Sequence, residues 1–102
     1  MSDFVYVYRL EHKETGIGPF QMGYSKTLSI EDRQLWIGDL DIHQRELDSH
    51  AGEYYGCLSP NDVKEYFGVW YDKLLNSGYE LGIYYVRRSN IVYGQDEVVF
   101  RP

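Results

Sequence analysis

Residues 59–78 restrict the possible folds more than any other stretch of the chain. Ser59-Pro60-Asn61-Asp62 offers a hydroxyl that can cap free backbone N–H groups and a proline whose fixed φ suits the first helical position. Asp62 adds an acid at the third position, where it opposes the positive end of the helix dipole. Val63, Phe67, Trp70 and Leu74 then recur at spacings of four, three and four, flanked by Tyr66 and Tyr71. Asn76-Ser77-Gly78 closes the pattern, with Gly78 placed for a left-handed C-cap. The spacing predicts a main helix over about 60–77 whose aromatic stripe, with Trp70 in it, must be covered by another apolar layer.

Strands supply that layer. Residues 4–10 are dense in β-branched and aromatic side chains, with Phe4, Tyr6 and Tyr8 on one face and Val5, Val7 and Arg9 on the other. Residues 79–87 alternate as well, setting Tyr79, Leu81, Ile83 and Tyr85 against Glu80, Gly82, Tyr84 and Val86. Ser89-Asn90 can turn the chain into Ile91-Val92-Tyr93. Gly94-Gln95-Asp96 then leaves either a bulged strand or a short strand, a turn and a final strand from Glu97 to Phe100. Residues 11–20 read as a loop, and Gly16-Ile17-Gly18-Pro19 is too short for a phosphate cradle. Ser29-Ile30-Glu31-Asp32 is a capping pattern that starts one or two helical turns. Residues 37–57 admit either a short helix around 43–50 or a long functional loop. The order implies an α+β fold: a small antiparallel sheet of three to five strands, one main helix on one face, and an irregular acidic middle.

A chain of 102 residues is expected to form a single domain, 1–102. Its 43% hydrophobic content excludes a disordered chain. No apolar run approaches the roughly 20 residues that span a bilayer, and the N-terminus lacks the basic start and apolar core of a signal peptide. Cys57 is the lone cysteine, which excludes an internal disulfide and fits a reducing cytoplasm.

Charge sets the direction of any interaction. The net charge is −6, and residues 29–53 alone balance to −5 through Glu31, Asp32, Asp39, Asp41, Glu46, Asp48 and Glu53 against Arg33 and Arg45. Direct nucleic-acid binding needs a basic surface, and the densest basic element is Arg87-Arg88. The acidic quarter reads as a solvated surface or as a docking surface for a basic partner.

Other candidate groups fit no catalytic or metal frame. His12, His43, His50, Asp39, Asp41, Asp48 and Cys57 lack the spacing of a ligand set. Cys57, beside Tyr55 and Leu58, reads as a semi-buried structural thiol. Tyr6, Tyr8, Tyr84 and Tyr85 are explained by core packing or a protein interface.

Two segments carry a family resemblance. Tyr8-Arg9-Leu10-Glu11-His12 followed by Thr15-Gly16-Ile17-Gly18-Pro19-Phe20 resembles the opening of small uncharacterised tailed-phage accessory proteins. The Gly56-Cys57-Leu58-Ser59 step into the Trp70 helix, and Tyr93 to Phe100, extend the likeness. The resemblance implies a phage or prophage origin and a place in the cytoplasm of a bacterial host cell. It implies no activity. A second resemblance is to ADP-ribosyltransferases, in which a first-strand Arg, a Ser after a later strand and a Gln/Glu-x-Glu motif act together. Arg9, Ser59 and Gln95-Asp96-Glu97 follow that chain order, which would imply NAD as cofactor and Glu97 as the carboxylate that stabilises an oxocarbenium-like centre. Ser59 is equally accounted for as a helix cap, and Arg9 as a salt-bridge partner.

Size, acidity and phage resemblance together lead to a non-catalytic protein that requires no cofactor. It is expected to bind and inhibit a basic host protein handling nucleic acid or defence, in the manner of anti-CRISPR or anti-restriction proteins. An NAD-dependent ADP-ribosyltransferase is the alternative.

Overall fold

The two alternating segments pair with each other rather than with their sequence neighbours. The structure, a computed structural model, describes residues 3–20, 28–39 and 47–102. In chain order its elements are β1 (Phe4–His12), α1 (Ile30–Gly38), β2 (Tyr54–Gly56), α2 (Pro60–Phe67), α3 (Trp70–Leu75), β3 (Tyr79–Arg87), β4 (Ile91–Tyr93) and β5 (Val98–Phe100). A 3-10 turn over Arg88–Asn90 joins β3 to β4. β1 and β3 run antiparallel over nine residues each, from Phe4 opposite Arg87 to His12 opposite Tyr79.

The ribbon uses both faces, as its alternation requires. On one face Leu10 and Tyr79 join Val63, Phe67, Trp70 and Leu74 in a buried cluster that also takes in Leu28, Trp36 and Cys57. On the other, Val7 and Val86 pack with Ile91, Val98 and Phe100. Beyond the helices the first face is open, and Tyr6, Ile83 and Tyr85 stand exposed there, with Phe4 stacked on Tyr85 at 5.1 Å.

The strands make two antiparallel sheets, β1-β3 and β2-β5-β4, rather than one. They are tied where Tyr8 and Cys57 exchange both backbone hydrogen bonds, at 2.8 and 2.7 Å. Gly56 makes this junction possible: a β-carbon there would lie 2.6 Å from Val7 Cγ1 and 2.9 Å from the Tyr8 carbonyl oxygen. Of the two readings of residues 91–100, the separate strands are correct: β4 and β5 flank a turn closed by the Gly94 N–H to the Glu97 carbonyl, 2.9 Å.

The helix expected over 60–77 is two helices. Ser59 caps the first, its Oγ accepting from the Asp62 N–H at 3.1 Å. Gly68 ends it at φ 56° and ψ −125°, a conformation open essentially to glycine, and α3 restarts at Trp70. The stripe stays on one side across the break, and all four of its residues are buried. α1 starts at a Ser29 cap as expected and runs to Gly38, longer than the pattern implied. Its buried Trp36 meets Trp70 edge-on at 5.1 Å. The short helix considered around 43–50 falls largely outside the described residues, and Leu47–His50 has no regular structure. Among the described residues no helix is long and apolar enough to cross a membrane.

Candidate functional site

β1, the Gly-Pro loop after it, β2 and α2 line a half-open cavity of about 260 Å³. Its walls are aromatic: Tyr8 from β1, Phe20 from the loop, Tyr54 and Tyr55 from β2, Tyr66 and Phe67 from α2. Phe20 holds this wall together, stacking on Phe67 at 5.8 Å and touching Trp36 at 5.2 Å.

Two ionisable side chains line the cavity from within the protein, Arg9 at 6% exposure and Glu97 at 4%. Arg9 lies over the Tyr54 ring with its guanidinium carbon 4.6 Å from the ring centre. Gly18 leaves room on another side, since a β-carbon there would come within 2.6 Å of Arg9 Nη2. Glu97 sits on the turn into β5. Its neighbour Asp96 receives the Cys57 thiol on its backbone carbonyl at 3.8 Å, and Cys57 pairs with Tyr8, next to Arg9. Both charged residues thus approach the cavity from the junction between the sheets.

Around Arg9 the strand carries a second polar contact. Tyr84 Oη donates to Glu11 Oε1 at 2.8 Å. Burial, and then this bond to a carboxylate, push the Tyr84 phenol up from 10.0 to about 12.

Arg9, Ser59 and Glu97, the ADP-ribosyltransferase-like set, are divided by the fold. Arg9 and Glu97 share the cavity; Ser59 lies outside its lining and is engaged as the α2 cap. Cys57 is a buried thiol, more enclosed than the semi-buried position expected. Among the described residues no group of three His, Cys, Asp or Glu side chains converges on a metal position.

The acidic segment is partly bound into the structure. Asp41 and Glu46 lie outside the described residues. Glu31 and Asp48 are exposed. Asp32 on α1 accepts from Lys73 Nζ of α3 at 2.7 Å, and that bond holds its carboxyl below the usual range. Asp39 accepts from Trp70 Nε1 at 2.8 Å. Glu53 accepts from the His50 N–H at 2.8 Å and from its ring at 3.0 Å, the backbone bond being the main cause of its lowered pKa. Glu53 and Ser49 also line the cavity, so the acidic segment and the cavity meet there. Sequence alone marked Glu53 as part of the acidic segment but did not mark Gly18, Tyr54 or Tyr66 as site residues; the Gly-Pro punctuation after β1 was the only local signal for the cavity.

Fold and site together define a small α+β protein with a half-open aromatic cavity that Arg9 and Glu97 also line, and with an acidic flank. The bacteriophage T4 Y00F protein family matches residues 1–102, and the chain belongs to that family. It is therefore a phage protein, and the match carries no activity with it. No curated protein and no solved structure matches the chain.

Proposed function

We propose that this phage protein acts without catalysis, by binding and inhibiting a basic protein of the bacterial host cytoplasm that handles nucleic acid or defends the cell, as anti-CRISPR and anti-restriction proteins do. The observation that carries this reading is how the acidic flank is held. The Trp70 N–H on Asp39 and the His50 backbone N–H on Glu53 hold these two carboxylates in fixed positions. Asp32 is held by a cation, Lys73, while Glu31 and Asp48 stand exposed. Pre-positioned carboxylates can stand where phosphates stand in a nucleic-acid channel, and rim charges chiefly speed encounter. Exposed Tyr6 and Tyr85 offer the aromatic anchors that interfaces favour.

The test captures a basic host protein from bacterial lysate, then measures its association rate at low and high salt. Glu31→Gln with Asp48→Asn should slow association and flatten its salt dependence while leaving the fold intact. Equal rates and equal salt slopes for the two proteins would show that the flank is only solvated surface. The alternative, ADP-ribosyl transfer from NAD, is favoured by Arg9 and Glu97 sharing one cavity. Label passing from NAD to host protein, and lost in Glu97→Gln, would support it over binding.

A further inference from the structure

We infer that the outer edge of β3 is where two copies of this chain join, strand to strand and antiparallel, about a two-fold axis near Ile83. The hydrogen-bonding phase of the β1-β3 ribbon carries this. In an antiparallel pair, residues that exchange backbone bonds with the partner strand alternate with residues that do not. At the two ends of the ribbon the Arg88 N–H donates to the Asp3 carbonyl at 2.7 Å, and the Lys13 N–H to the Gly78 carbonyl at 2.9 Å. Counted in twos along the register, Glu80, Gly82, Tyr84 and Val86 turn their backbone groups toward β1. Leu81, Ile83 and Arg87 turn theirs outward, and among the described residues no strand lies on that side.

Proteins ordinarily blunt such an edge with short length, proline, lysine or a bulge. β3 has none of these, running nine residues in unbroken register without proline or lysine. The other edges are less available: Cys57 meets β1 at Tyr8, and β4 has three residues. Side chains beside the β3 edge are open as well, Ile83 at 60% exposure and Tyr85 at 58%. Tyr85 leads on to Tyr6 at 4.8 Å and Phe4 at 5.1 Å, so two copies joined here merge their open aromatic faces into one.

The charges on β3 select a second copy as the occupant. There are two, Glu80 near its start and Arg87 at its end. Both are exposed, and neither forms an ion pair among the described residues. Antiparallel self-pairing sets each Glu80 toward the partner's Arg87, whereas parallel pairing sets like charges together. A two-fold axis uses the same patch twice and closes at two copies. The inference does not rest on the host-binding reading, whose acidic residues belong to other segments of the chain.

Sedimentation equilibrium of the intact chain, from micromolar to millimolar concentration, should show the mass rise from one chain to two and stop there. Amide exchange at Leu81 and Ile83 should slow as concentration rises, while Gly82, already bonded to β1, should not change. Ile83→Pro removes an outward donor and no β1 bond, so it should weaken the dimer by at least about tenfold while the chain still melts cooperatively. Should that variant fail to fold, Ile83→Lys at the same exposed position carries the same expectation. Glu80→Arg and Arg87→Glu should each weaken association, and the two together should restore it. A single-chain mass at every concentration overturns the proposal and leaves the edge to a strand of another protein. A dimer indifferent to the Ile83 variants, exchange slowed at Val92 and Tyr93 instead, or a double exchange that stays monomeric would each overturn it too.

Discussion

Tyr84 and Gly56 show how single positions hold the sheets together. The Tyr84 phenol is half-buried and bonded to Glu11, with its pKa at about 12. In the unfolded chain the phenol ionises near 10.0, so the folded state holds the proton more tightly. Its contribution to stability is complete below pH 10.0 and falls as pH rises to about 12. Denaturant melts across that range should show the decline, and Tyr84→Phe should reduce its slope. Gly56 has no room for a methyl group against the Tyr8 carbonyl and the Phe100 ring. Gly56→Ala should cost about 1–3 kcal/mol, read as a lower denaturant midpoint. Neither role was visible in the sequence, because each depends on a partner from a distant segment. Ser59 and Ser29 were visible, since a cap is satisfied within three residues of itself.

α2 and α3 show what periodicity can and cannot convey. The stripe of Val63, Phe67, Trp70 and Leu74 was legible because burial repeats with the helical period. The break at Gly68 was not, because a three-residue step from Phe67 to Trp70 fits a continuous helix and an interrupted one equally well. Gly68→Ala tests the break: at φ 56° and ψ −125° a β-carbon is strained, and the variant should lose about 1–3 kcal/mol in thermal or denaturant melts. Trp70→Ala should cost more, about 3–5 kcal/mol, since it empties the contact with Trp36 and removes the donor to Asp39. An unchanged melting temperature in that variant would contradict the packing described. β2 went unread for a related reason. It has three residues, and what makes Tyr54–Gly56 a strand is pairing with β5 and the Tyr8 bridge, both far away in sequence. The cavity inherits that opacity, because its walls come from four separate segments.

The acidic balance was the one property of the assembled protein that composition conveyed directly, and the fold holds Asp32, Asp39 and Glu53 in place by hydrogen bonds. The pairing of β1 with β3 has a different kind of consequence, for how the protein reaches its structure. Even the innermost pair, His12 with Tyr79, closes a loop containing most of the described residues. Loop-closure entropy must be met before either strand gains its partner, whereas α1, α2 and α3 can form early from local contacts. Refolding from denaturant should therefore take milliseconds to seconds, the range typical of non-local sheets, and stopped-flow tryptophan fluorescence can time it. Until the loop closes, two nine-residue strands rich in tyrosine and valine remain without partners. Chains that meet in that interval can pair with each other instead, so the yield of native protein should drop as the refolding concentration is raised.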